Sequence, residues 1–468
     1  MKNIIILSVA ALSLSGCGVY TTYKSTTSVP EGLYGEQAQI FQNSIDRDSA
    51  NTLIAESVPE LGGIAWQELF TDTCLQTLIK RGLENNIDYR TAQFRIEEAE
   101  ATLLSAKLAF LPSFALSPQG TVSSFDTRKA SYTYTLPVTA SWQLDIFGGM
   151  RNAKKQAQAL LEQSRDYHMA VRTQLIAGIA NAYYTLLMLD EQLDISRQTE
   201  LAWKETVRTA QALMRAGQYD LAGVAQLEAS YSNVQTSVLD LEEQINQTEN
   251  SLAMLLGEPS RHYERRKMSE QQFLEKFSLG VPVQMLSCRP DVRYAERSLE
   301  AAFYVTNQAR AAFYPQITLS GNAGWTNAAG EIIVNPGKFL ASSVASLTQP
   351  LFNRGQLKGQ LKIAKAQQEE AALAFQQALL NAGSEVNDAL TAYQVSKNKQ
   401  KLLEQQEKSL QTALKSTSLL MEKGNNTYLE VLTARQSLLS VQLAKSANRF
   451  AEIQGLINLY QALGGGRN

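Results

Sequence analysis

The sequence predicts a mainly helical fold with a small β part, built from a duplicated unit in which a strand pair precedes a very long helix. Three observations carry that reading. The chain repeats itself: Ala109-Phe110-Leu111-Pro112 returns as Ala312-Phe313-Tyr314-Pro315, Met214-Arg215-Ala216-Gly217 as Met421-Glu422-Lys423-Gly424, and Leu256-Gly257 as Leu463-Gly464. The offset drifts only from 203 to 207 residues. Residues 151–216 and 360–423 contain no proline and one glycine each, Gly178 and Gly383. At a rise of 1.5 Å per residue, stretches of about 65 residues would extend roughly 95 Å as helix. Residues 132–145 and 317–326 instead alternate apolar with polar at a period of two, the mark of strands with one apolar face.

The elements follow in order. Lys2, an apolar run over 4–11 and Leu14-Ser15-Gly16-Cys17 resemble a bacterial lipoprotein signal. Residues 1–16 would then be the signal peptide and Cys17 the lipidated residue; Gly18 in place of an aspartate favours the outer membrane. Residues 17–65, rich in Ser, Thr, Gly and Tyr, read as an extended arm. A first repeat spans 66–257, with helical signals from Trp66 to Leu108 that Pro112 ends, because it lacks an amide donor. The β part covers 112–145 and 315–351, with weaker strand signals at 114–122 and 339–347, and Pro118 and Pro137 predict local bends.

Strands of about 10 residues with one apolar and one polar face suit a transmembrane barrel. Four such strands cannot close one, and open edges are not tolerated in lipid, so copies must pool strands: two copies give eight, three give twelve. The long helices exceed any bilayer thickness and would project away from it. Heptad-like spacing of Leu379, Val386, Leu390 and Tyr393, then Leu403, Leu410, Leu414 and Met421, supports helix packing along their length. Gly217 and Gly424 are positioned as left-handed caps of the outgoing helices, Asp220 and Thr427 as N-caps of the returning ones. A charged connector, 258–288, separates the first repeat from a second over 289–464, and 465–468 form a tail.

Composition excludes several classes. Charge is close to balanced, with 43 basic and 45 acidic residues, and no basic stripe to recruit nucleic acid is expected. Beyond residue 17 no uninterrupted apolar run reaches the length of a spanning helix. Cys17, Cys74 and Cys288 lack CxxC spacing, and Cys74 and Cys288 read as buried small hydrophobes. His168 and His262 stand alone, leaving no metal-ligand set and no triad base. Gly321, Gly324 and Gly330 lack phosphate-binding spacing. The sequence therefore predicts no enzyme and no cofactor beyond a covalent lipid on Cys17.

Several motifs point further: Trp66-x3-Phe70-x-Asp72, Asn86-Ile87-Asp88, Trp142-x-Leu144-Asp145-Ile146-Phe147-Gly148, Arg289-Pro290-Asp291-Val292, Tyr314-Pro315-Gln316-Ile317 and the terminal Ala462-Leu463-Gly464-Gly465-Gly466. In this order the chain resembles the outer-membrane factor family, the TolC-type exit ducts, and within it the lipidated efflux-pump branch. The resemblance implies a homotrimer with a twelve-stranded outer-membrane β-barrel continued by a periplasmic α-helical barrel. It implies a passive conduit for drugs and toxic compounds in a Gram-negative outer membrane, fed through a periplasmic adaptor by an inner-membrane pump of the RND type. It also implies an iris at the periplasmic tip. Counted from Gly424, Glu430 falls where the family's founder has a ring-forming aspartate. Leu429 matches an apolar constriction of lipidated members. Thr433 stands where both kinds carry another aspartate. Met421 and Asn426 replace a tyrosine and arginine clasp, so the latch is not given by the resemblance. Two other readings stay open at this level: the exit of a type I protein secretion system, and a structural coiled-coil lipoprotein of the outer membrane.

Overall fold

Capping chemistry sets where the helices of this chain begin and end. The computed structural model describes residues 22–24, 61–124, 126, 129–271, 273, 289–327, 338–422 and 428–466. The expectations for the signal peptide, Cys17, Cys288, Gly424 and Thr427 lie outside the described residues. The elements are α1 (Trp66–Leu69), α2 (Thr73–Asn85), α3 (Ile87–Leu108), β1 (Ser113–Leu116), β2 (Gln119–Ser123), β3 (Ser131–Leu144), α4 (Gly149–Arg215), α5 (Leu221–Leu256), α6 (Pro290–Ala311), β4 (Gln316–Thr326), β5 (Lys338–Thr348), α7 (Gln356–Glu422) and α8 (Tyr428–Ala462). The duplication is visible in their sizes: α4 and α7 are both 67 residues long, and α5 and α8 have 36 and 35.

The sequence motifs are caps. Asp72 accepts from Cys74 N at 2.8 Å and opens α2. Asn86 accepts from Tyr89 N at the start of α3 and donates through Nδ2 to Leu255 O at the end of α5. Asp145 receives Met150 N and Arg151 N at 2.9 and 2.8 Å and opens α4. Gly257 closes α5 at φ +67°, and a Cβ there would lie 2.5 Å from Asn85 O, so only glycine fits. Cys74 departs from the buried position expected of it. It is half-exposed, because its place in the N-terminal turn of α2 uses its amide rather than its side chain.

The chain divides into two compact units, each drawing on both repeats. The first is made chiefly of Phe94–Asp166 and Arg293–Gln377. Its centre is one antiparallel sheet in the order β1-β3-β4-β5, with β2 also on β3. β3 pairs with β4 from Thr135↔Thr326 to Leu144↔Ile317, and β4 with β5 from Gln316↔Thr348 to Thr326↔Lys338. The weak strand signal at 114–122 resolves into two strands, β1 and β2, separated by Ser117 and Pro118. At Pro137 the strand is not interrupted; β3 runs through it unbroken. Pro137 O accepts Ser117 N at 3.2 Å, so the side of Pro137 that lacks a donor faces the interruption at Pro118. The two prolines share one gap in the ladder, and the pairing with β4 is untouched.

The second unit is made chiefly of Tyr167–Val292 and Ala378–Asn468, with residues 61–93 packed into it. Leu61, Phe70, Leu75, Ile79, Ile176, Tyr183 and Leu186 are fully enclosed. Asp72 is buried and accepts from Tyr183 Oη at 2.6 Å and Gln271 Nε2 at 2.8 Å. Burial, then the hydrogen bond to Asp72, hold the Tyr183 phenol far above its ordinary range, so it stays a neutral donor. Arg265 ties the start of the connector down, donating to Asp190 and Glu249. Arg289 donates to Ala462 O at 2.8 Å and pairs with Asp291 and Glu385. The Arg-Pro-Asp motif thus satisfies a free carbonyl at the end of α8.

Candidate functional site

Two parts of the molecule carry the residues that the sequence singles out: the faces of the sheet in the first unit, and the turn of the first helical hairpin with the start of α8 in the second. Register sorts the side chains of the sheet. Leu136, Val138, Trp142, Trp325, Phe339 and Leu347 share one face and are exposed. Thr133, Thr135, Thr139, Ser141, Thr318, Ser320, Asn322 and Ser342 share the other, where Ser342 Oγ meets Asn322 Oδ1 at 2.6 Å. Leu340 and Val344 are apolar departures on that polar face. Aromatic residues collect at both ends of the strands: Phe110, Phe114 and Trp142 at one, Tyr134, Trp325 and Phe339 at the other. Trp142 donates its indole N–H to Phe110 O at 2.9 Å, and Gln349 does the same for the matching carbonyl, Phe313 O, at 3.0 Å. An exposed apolar face bounded by aromatic residues is the exterior of a lipid-embedded sheet. Among the described residues no helix is long and apolar enough to cross a membrane.

At the first hairpin turn, Gly217 has φ +70°, with Gly217 N on Met214 O at 3.0 Å and Gln218 N on Leu213 O at 2.9 Å. This pattern ends α4 in a left-handed cap, as the sequence predicts. Asp220 accepts from Gly223 N at 2.5 Å and opens α5. Tyr219 lies across Gly223, where a Cβ would come within 2.5 Å of its hydroxyl. Behind the turn Trp203, Val207, Ala210, Val224, Leu227 and Val234 form a buried cluster, and Leu432 of α8 belongs to it.

The second turn is described only from Tyr428 onward. Leu429 lies in the first turn of α8, with Glu430 and Thr433 both exposed, whereas Val431 and Leu432 are buried. The structure therefore separates two faces at the start of α8, an exposed one bearing Glu430 and Thr433 and an enclosed one that joins the first hairpin. Sequence reasoning missed Arg435, which donates to Ala202 O at 3.2 Å and Thr206 Oγ1 at 3.0 Å on α4. Its only sequence signal is a lone cation one turn beyond the apolar pair. Farther along, Glu407 of α7 accepts from Lys445 at 2.8 Å and Gln442 at 3.3 Å on α8. The Lys445 hydrogen bond, opposed by partial burial, holds the Glu407 carboxyl below its ordinary range.

The family model described as outer membrane efflux protein matches residues 78–258 and 281–465, nearly all of both repeats. The chain belongs to this outer membrane efflux protein family. The cation efflux system protein CusC of Escherichia coli is 26% identical over 460 residues, covering 97% of either chain. The outer-membrane channel OprN superposes with a TM-score of 0.84 at 23% identity, over 96% of this chain and 99% of that one. The open state of the Neisseria gonorrhoeae MtrE channel superposes with a TM-score of 0.81 at 27% identity, over 89% and 95%. This outer-membrane efflux protein is an exit duct of an efflux system, located in the outer membrane and reaching into the periplasm. Its family consists of channels rather than enzymes.

Proposed function

We propose that three copies of this chain pool their sheets into a twelve-stranded barrel and their helices into a periplasmic tunnel. The duct passes small molecules, drugs and toxic compounds among them, delivered through a periplasmic adaptor by an inner-membrane pump of the RND type. The observation that carries this reading is the two-faced sheet, four strands wide with β5 and β1/β2 at its rims. Its exposed apolar face fits lipid, its polar face fits a water-filled lumen, and its rims call for identical neighbours. A lipid on Cys17 anchors each copy beside the barrel.

The iris forms where the start of α8 approaches the axis. Leu429 from three copies narrows the aperture, and three Glu430 carboxylates repel one another and favour cations, with Thr433 one turn farther in. Gly424 and Thr427 end and restart the second hairpin as Gly217 and Asp220 do the first. Arg435 ties the start of α8 to α4, so opening the iris moves α8 against this link. The test is conductance of the purified trimer in planar bilayers. The wild type conducts poorly, and Leu429→Ala with Glu430→Ala raises conductance several-fold. Unchanged conductance in a correctly assembled trimer rejects these residues as the gate.

A further inference from the structure

The charge balance of the whole chain conceals a local segregation. The sheet register brings four helix ends to one end of the strands: Ser113 pairs with Ser141, Leu144 with Ile317, and Gln316 with Thr348. There α3 and α6 arrive, and α4 and α7 leave. The stretches that make this junction, 103–112, 145–155, 303–315 and 349–365, hold nine lysines and arginines against a single acid, Asp145. The chain as a whole has 43 against 45. Asp145 is already engaged, capping α4 and pairing with Arg151.

Lys358, Lys362 and Lys365 show the imbalance most clearly. All three are exposed and make no ion pair among the described residues. Their spacing of four and three residues puts them in one stripe along α7. The stripe lies beside the seam where Ala364 is buried and its carbonyl accepts Thr306 Oγ1 at 3.1 Å, so packing holds the helix face in place. From Lys358 to Lys365 the stripe runs roughly 10 Å along the helix axis. A headgroup layer is about 5–8 Å deep on each side of the hydrocarbon. Leu351 and Phe352, 94% and 87% exposed, lead into the same helix, and Trp142 and Phe114 flank the same strand ends. The lysines therefore begin where the apolar surface stops. Like charges at this spacing repel one another unless anions stand opposite them.

We propose that this junction binds the phosphate groups of anionic phospholipids in the periplasm-facing leaflet, with Lys358, Lys362 and Lys365 as its contacts on α7. The inference rests on the membrane location of the sheet and is independent of the gate at the other end of the helices. Each lysine strengthens attraction to an anionic surface by about five-fold at low salt, an effect that falls with ionic strength.

The experiment uses the full-length protein, assembled in outer membranes and transferred to nanodiscs of mixed phosphatidylglycerol and phosphatidylcholine, with retained lipid read by native mass spectrometry. Phosphatidylglycerol is retained at least three-fold above its share of the disc, and 0.5 M NaCl lowers that enrichment. The triple variant K358Q/K362Q/K365Q loses the enrichment, and the corresponding arginine triple keeps it. K397Q/K399Q/K401Q, which removes the same charge farther along α7, leaves it unchanged. Equal enrichment in the first triple and the wild type overturns the proposal, as does loss in the distal triple. Should the first triple fail to assemble, enrichment by the wild type that survives 0.5 M NaCl overturns it equally. Altered anion selectivity of conductance with lipid retention intact would place the lysines in the conduit, and the lipid assignment falls.

Discussion

The two helical hairpins are the same length and come from the same duplicated unit, yet they are packed in opposite ways. In the first, burial continues along α4 to Ala210, close to its end at Arg215, and the turn itself is braced by Tyr219 and the cluster around Trp203. In the second, burial along α7 stops at Ser396, and none of residues 397–421 is enclosed. Leu402, Leu419 and Leu420 are exposed there. The start of α8 shares its core with the first hairpin, through Leu432 and Arg435. Duplication thus supplied two equal rods, and side-chain choice enclosed one nearly to its tip and left the far end of the other half-buried within its own chain, tied to α8 through Glu407. Local stability follows buried contact, so within one chain the far end of α7 is held less firmly than the far end of α4.

Three measurements break or sharpen that contrast. The largest effect belongs to Trp203→Ala, which removes a fully buried indole and is expected to lower protomer stability by about 3–5 kcal/mol. Leu419→Ala on α7 should lower it by less than about 1 kcal/mol, since an exposed side chain surrenders little. Urea unfolding of both variants checks the pair, and equal losses would dissolve the distinction. Next comes Arg435→Ala. Two hydrogen bonds from a charged donor are together worth about 1.5–3 kcal/mol, so α8 should part from α4 roughly ten-fold or more as often. Amide exchange over 428–440 and spontaneous openings in planar bilayers read this out; no change in either would show that α8 is held by apolar contact alone.

The smallest effect is a pH dependence at Glu407. Its carboxyl titrates below its ordinary value of 4.5 when folded. The lowered folded value means the Lys445 link contributes fully above pH 4.5 and is lost as pH falls through the folded value. Glu407→Gln should therefore weaken the junction of α7 and α8 at neutral pH and flatten the acid limb of stability below about pH 4.5. An unaltered acid limb in thermal melts between pH 3 and 7 would show that the pair contributes nothing.

Much of this architecture is legible in the sequence because it rests on local rules. Proline, glycine and aspartate mark the ends of α3, α4, α5 and β3, and period-two alternation assigns the faces of the sheet. The equal offsets between motifs give two rods of one length. What escapes is whatever depends on partners distant in the chain. Pro137 counts against a central strand until Pro118 is seen opposite it. Cys74 reads as buried until it is seen in the first turn of α2, its amide capped by Asp72. Arg435 has no periodic signature at all, since its acceptors lie more than two hundred residues away on α4. Leu403, Leu410, Leu414 and Met421 have the heptad spacing of a packed seam, yet all four are only half-buried, because spacing reports a face and not what meets it.

The unpaired rims of the sheet have a consequence for how the protein reaches its place. Among the described residues β5 bonds only to β4, and β1 and β2 only to β3, so a solitary polypeptide arriving at the bilayer would expose two rows of bare amides and carbonyls to hydrocarbon. Insertion is therefore tied to encounter between newly made molecules. Its rate should climb faster than linearly with the amount synthesised, and a cell making too little would accumulate stranded singles instead of pores.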